Sequence, residues 1–221
     1  MKVIAINGSP RKNGNTAILL GKALEGAASK NAETELIHLY DLNYKGCISC
    51  FECKRLGGQS YGKCPVKDDL LDVFEKIESA DAFILGSPIY FGEVSGEMRC
   101  FLERLFFQYH VYDKDRSILT PKEIKTGFIF TMNAPERVIK EIGYEKKIKG
   151  YEEILKHFFG SSKTFTVTDT LQFKDYSKYM ASGFNEEAKI ERREMVFPVD
   201  CEQAYQFGAG LIDLTSETLE V

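Results

Sequence analysis

Three stretches of this chain carry residue types spaced for chemistry. The first is Asn7-Gly8-Ser9-Pro10-Arg11-Lys12-Asn13-Gly14-Asn15-Thr16, between the apolar run Val3-Ile4-Ala5-Ile6 and the helical pattern opened by Ala17. Gly8 and Gly14 allow a tight turn and close backbone approach. Ser9, Asn13, Asn15 and Thr16 offer hydroxyls and amides, and Arg11 offers a fixed fork of donors suited to a phosphate. The free N–H groups and positive dipole end of the next helix point at the same place. The loop reads as a phosphate cradle, although it is neither a Walker A sequence nor the dinucleotide Gly-x-Gly-x-x-Gly. The plainer alternative is a solvated loop that caps a helix.

The second stretch is Ser87-Pro88-Ile89-Tyr90-Phe91-Gly92. Proline and glycine set a loop's shape, yet apolar and aromatic groups stand where a loop should be polar. Beside a phosphate cradle they suit a flat ring attached to a phosphate. The alternative is that Tyr90 and Phe91 fold back into the core. The third stretch is Cys47-x2-Cys50-x2-Cys53-x10-Cys64-Pro65, four of the six cysteines. Four thiolates at this spacing suit one 4Fe–4S cluster, a zinc ion or a redox-active dithiol.

Apolar periodicity predicts the elements that position these groups. Strands are expected over 3–6, 34–39, 82–85, 126–131 and 163–168, the last alternating as a half-exposed edge strand should. Helices are expected over 16–29, from Leu70 through Ile77 behind Asp68-Asp69, from Val94 through Leu105, over 144–159 and over 200–214. Asp68 and Asp69 suit a helix N-terminus. Residues 40–67 form a long aperiodic connection, the kind that is usually functional. Residues 169–198 read as an irregular extension whose charge run over 186–194 is a solvated face. His38 reads as a surface strand residue, His110 and His157 as structural, and Cys100 as a plain helix cysteine. No repeat or linker interrupts the chain, so residues 1–221 are expected to form one domain.

Five strands alternating with helices predict a doubly wound parallel sheet with helices on both faces. Periodicity leaves two orders, Rossmann-like and flavodoxin-like. Only the flavodoxin-like order 2-1-3-4-5 brings the Ser9 and Pro88 loops together at a switch point.

Composition narrows the partners. A net charge of −4 over 221 residues, without a basic block, argues against nucleic acid or an anionic membrane. No apolar run reaches the ~18 residues of a membrane span, and no leader pattern precedes the first strand. The expected setting is cytoplasmic, where disulfides are disfavoured and crowded cysteines point to metal or redox work.

The first two stretches resemble the NADPH-dependent FMN reductase branch of the flavodoxin-like proteins, and the cysteine segment narrows this to the iron–sulfur flavoproteins. The resemblance covers about the first 135 residues and, weakly, the last helix. It implies that Ser9, Arg11, Asn15 and Thr16 hold the FMN phosphate. Pro88, Ile89, Tyr90 and Phe91 would line the isoalloxazine, and Thr131, Met132 and Asn133 would close the site. Cys47, Cys50, Cys53 and Cys64 would ligate a 4Fe–4S cluster near a flavin, although the last gap is longer than is usual in that group. NAD(P)H or a ferredoxin would supply electrons to an unspecified acceptor. A dimer or tetramer is expected, both from the resemblance and from the surplus of aromatics between Phe101 and Tyr112. The rival expectation is a non-enzymatic redox carrier or sensor with zinc or free thiols. A hydrolytic α/β domain fits poorly, because no nucleophile elbow or acidic metal site is visible.

Overall fold

The computed structural model describes residues 1–213. Its centre is β1 (Lys2–Asn7), an apolar strand buried from Val3 onward, as a parallel strand covered on both faces must be. β1 pairs in parallel with β2 (Glu33–His38) on one side and β3 (Ala82–Tyr90) on the other. β4 (Glu93–Val94) folds back antiparallel on the end of β3. β5 (Ile124–Thr131) and β6 (Gly160–Val167) complete the order β2-β1-β3-β5-β6. With the two-residue β4 set aside, this is the expected flavodoxin-like 2-1-3-4-5. Among the described residues β6 pairs with β5 alone, and it is partly exposed along most of its length.

The period-2 alternation of the strands divides the core between the two faces. Val3, Ala5, Ala82, Ile84 and Ile129 pack with α1 (Asn15–Ser29) and the closing helix. Ile4, Ile6, Phe83, Leu85, Phe128 and Phe130 pack with three other helices. Those are α2 (Leu70–Ser79), α3 (Gly96–Tyr109) and α5 (Tyr144–Phe159), the short α4 (Glu136–Glu141) preceding the last. Asp68 accepts the Leu70 N–H at 3.2 Å as a helix-start residue should, whereas Asp69 accepts from the Asn43 N–H at 2.7 Å. No helix among the described residues is long and apolar enough to cross a membrane.

Three expectations are corrected. The stretch 86–90 is strand rather than loop, because β5 runs beside it with Ser87 opposite Phe130 and Pro88 opposite Thr131. β1 has ended at Asn7, opposite Gly86, which leaves one side of β3 open where a sheet tolerates proline. The extension is only partly irregular, since α6 (Glu186–Met195) lies within it. Its charge run is two-sided: the glutamates face solvent, while Lys189 is buried against Asp169 and Arg192 pairs with Asp200 at 2.9 Å. The closing helix is α7 (Phe197–Asp213), longer at its start than expected; Leu214, the expected last residue, lies outside the described residues. α7 crosses α1 backbone to backbone: a Cβ on Gly208 would sit 1.8 Å from the Ala23 carbonyl oxygen, and one on Gly26 1.9 Å from that of Tyr205.

Candidate functional site

The loop after β1 is built from the buried Asn7. Its side-chain oxygen accepts the Ser9 N–H at 3.0 Å, and its amide nitrogen donates to His38 Nδ1 at 2.9 Å. His38 therefore has a positioning role that a surface strand residue lacks. Ser9 Oγ in turn accepts the Arg11 N–H at 3.2 Å, and the Gly14 N–H closes the turn on the Arg11 carbonyl at 3.0 Å. Gly14 is the N-cap of α1 and supplies no side-chain cap, so the first-turn donors stay open to an anion. Ser95, which sequence reasoning passes over, ties the loop to the neighbouring elements. Its hydroxyl donates to the Gly8 carbonyl at 2.5 Å, its N–H donates to Ser87 Oγ at 3.0 Å, and its Oγ caps α3 through the Met98 N–H at 3.3 Å.

These residues open on a cavity of about 450 Å³ that takes in ten of the eleven expected flavin-site residues. Ser9, Arg11, Asn15 and Thr16 form the end at the α1 N-terminus. Pro88, Ile89 and Tyr90 contribute from β3, and Thr131, Met132 and Asn133 from the end of β5. The buried Thr16 and Thr131 hydroxyls bond each other at 2.7 Å. Phe91 stands outside. With Gly92 it forms a two-residue hairpin turn between Tyr90 and Glu93, at φ 47° and 88°. Those left-handed values match the turn that a hairpin's twist favours, and they leave the Phe91 ring fully exposed.

A further wall escapes the sequence reading. Residues 170–174 run across the α1 end of the cavity, anchored where Thr170 N–H donates to the Met132 carbonyl at 3.0 Å. Arg11 donates to the Gln172 carbonyl at 2.6 Å and Asn15 Nδ2 to that of Leu171 at 3.0 Å. Asn133 Nδ2 donates to Gln172 Oε1 at 2.6 Å, and Arg193 of α6 donates to Asn15 Oδ1 at 2.8 Å. Only the segment's aperiodic length signals it. The cavity thus has cationic and backbone donors at one end and Ile89, Tyr90 and Met132 at the other. Asn133 Oδ1 is buried on its wall without a partner. This donor set fits one phosphate bearing a flat ring.

The cysteine segment runs the length of α3. Tyr44 OH donates to the Glu97 carbonyl at 2.8 Å near its start, and Lys54 Nζ donates to the Gln108 carbonyl at 3.1 Å near its end. All six cysteines are free thiols. Cys47, Cys50, Cys53 and Cys64 line one small cavity, of about 20 Å³, together with Arg104, Phe107 and Gln108. Burial pushes the Cys53 thiol up; Lys54 opposes this, and the charges of Cys64, Cys50 and Cys47 add to it. Among the described residues, no group of three or more His, Cys, Asp or Glu side chains is drawn together tightly enough to hold a metal ion. Four free thiols around one cavity nonetheless have the chemistry of a thiolate-ligated centre.

The cysteine cavity shares no lining residue with the first cavity. Its α3 residues lie about 12 Å (Arg104) to 18 Å (Gln108) along the helix from Gly96, at ~1.5 Å per residue. A surface groove shares Cys47 and Phe107 with it and continues over Phe106, Ile154, His157 and Phe158. No residue of 169–198 lines that groove, so the extension does not cover the aromatic face of α3.

Among solved structures, an NAD(P)H:quinone oxidoreductase from Methanothermobacter marburgensis has a TM-score of 0.71 at 15% identity, covering 97% of this chain and 98% of that one. An azoreductase from Bacillus anthracis has a TM-score of 0.65 at 12% identity, covering 95% and 99%. At such identities the likeness is one of fold. Curated relatives are closer in sequence. An iron–sulfur flavoprotein of Methanocaldococcus jannaschii is 45% identical over 104 residues, 47% of this chain and 51% of that protein. One from Archaeoglobus fulgidus is 41% identical over 47% of this chain and 48% of its own length. The chain thus spans about half the length of the curated relatives it matches. The family model described as NADPH-dependent FMN reductase matches residues 1–122, more than half of the chain, and the protein belongs to that family.

Proposed function

We propose that this protein is an FMN oxidoreductase that takes electrons from NADH, NADPH or a ferredoxin and passes them to a small acceptor such as a quinone or a free flavin. One observation carries the reading: a single cavity joins an anion cradle at the α1 N-terminus to an apolar and aromatic wall from β3. Bound FMN supplies the hydride and single-electron chemistry, and the protein supplies binding and orientation. The open first-turn amides and Arg11 hold the phosphate, with Ser9, Asn15 and Thr16 beside it. Arg11 has five donors, so one stays on the Gln172 carbonyl while others meet the phosphate. Pro88, Ile89 and Tyr90 flank the ring, and Thr131, Met132 and Asn133 close the site. Phe91, exposed at the hairpin tip, is left out of this set.

Cys47, Cys50, Cys53 and Cys64 are assigned to one 4Fe–4S centre, supported by their common cavity and by relatives named iron–sulfur flavoproteins. The groove over the half-buried Phe106 and Phe107 and the exposed Ile154 is assigned to self-association, because apolar grooves rich in aromatics mark interfaces. Steady-state oxidation of NADH and NADPH by FMN-loaded protein, with a quinone or free flavin as acceptor, tests the activity. Sustained turnover is expected. Loaded protein that exchanges electrons once but does not turn over is a carrier, and that result overturns the enzymatic reading.

A further inference from the structure

We propose that Gln108 and Arg104 donate N–H hydrogen bonds to the sulfur atoms of the four-cysteine centre, and that Gln108 tunes its reduction potential. The inference rests on the cluster reading above. Both side chains project from α3 into the cysteine cavity, and both residues are 2% exposed. The orientation of the Gln108 amide is dictated by its partner. The Cys64 N–H donates to Oε1 at 3.0 Å; a backbone donor requires the oxygen there, which turns the NH2 group away from it. That nitrogen is buried and has no partner. Arg104 spends Nη1 on Asp68 at 2.5 Å and on the Lys45 carbonyl at 3.3 Å, and Nη2 on the Val66 carbonyl at 3.3 Å. Its Nε is likewise buried and unpaired.

Five buried side-chain atoms among the described residues lack partners, and the two nitrogens among them both belong to this cavity's wall. Buried donors without acceptors are costly and call for an explanation. The cavity's other polar lining is the four thiols, and a neutral thiol is a weak acceptor. Thiolates and bridging sulfides, carrying negative charge, are stronger ones. Donors aimed at sulfur favour the more negative, reduced form of such a centre and so raise its potential.

The test is Gln108→Glu in the full-length, anaerobically purified protein. Glutamate keeps an oxygen for the Cys64 N–H but replaces the donor with an acceptor. Iron, sulfide and FMN contents are measured, and the midpoint potential is titrated with a chemical reductant and mediators across a pH series. The expected result is unchanged FMN and a potential lowered by about 59 mV or more, a tenfold shift of the one-electron equilibrium. The gap to wild type should narrow at acid pH, where the introduced carboxyl is protonated and again donates; a purely structural role would not produce that pH dependence. If the glutamate variant fails to assemble the centre, Gln108→Met, which removes the donor without adding charge, takes its place and should also lower the potential. Wild-type potentials in iron-loaded Gln108→Glu and Gln108→Met at every pH would overturn the donor assignment and leave the cluster standing. Wild-type protein without iron and sulfide would overturn the cluster itself.

Discussion

Arg11→Ala separates phosphate recognition from everything else the cradle does. Arg11 is an exposed loop residue whose side chain contacts the Gln172 carbonyl, at 2.6 Å. Losing an exposed contact of that kind should change folding stability by no more than about 0.5 kcal/mol. A charge-assisted bond to phosphate contributes about 1.5–3 kcal/mol, so FMN should bind roughly 10–100-fold more weakly to the variant. Riboflavin has the same ring and no phosphate, and its affinity should be nearly unchanged. Titration of apoprotein with each flavin, followed by quenching of flavin fluorescence, gives both dissociation constants. An unchanged FMN constant would refute the phosphate role. Equal weakening of FMN and riboflavin would place the contribution of Arg11 in holding the 170–174 segment instead.

Three further outcomes are expected. Gly208→Ala places a methyl group 1.8 Å from the Ala23 carbonyl oxygen, so α1 and α7 must separate; the cost of such overpacking is about 1–3 kcal/mol, read as a lower urea midpoint, and an unchanged midpoint would contradict the close crossing. Wild-type protein should scatter light as a dimer or larger assembly, and Ile154→Glu, which puts a charge in the apolar groove, should reduce that mass; a monomeric wild type refutes the assigned interface. Cys64→Ser should lose iron and sulfide while keeping one FMN per chain, whereas full iron content in that variant would remove Cys64 from the centre.

The parts that can be read from the sequence are those governed by apolar burial. β1 and the first half of β3 are continuous apolar runs because both faces are covered. α5 is legible at its observed bounds, Tyr144–Phe159, because its apolar residues keep helical spacing. The cradle is legible because glycine, hydroxyl and arginine side chains follow a strand directly. What escapes is held by other forces. The 170–174 wall attaches through its own carbonyl groups, which leave no mark on residue type. α6 turns lysine and arginine inward to Asp169, Asp200 and Asn15, so its buried face looks like a solvated one. The extension of β3 depends on β5 lying alongside it, a long-range fact. Phe91 departs from expectation for a backbone reason, since a left-handed φ at the hairpin tip turns its ring to solvent. The cysteines read as a group, but their position along α3, away from the cradle, comes from contacts such as Cys64 to Gln108.

The most direct measurement is to release the cofactor from anaerobically purified protein, identify it by chromatography and quantify it against protein. The account predicts FMN at one per chain, because the cavity offers a single phosphate cradle and no dinucleotide fingerprint. FAD in that fraction, or no flavin in protein that neither rebinds FMN nor changes its fluorescence, would contradict it.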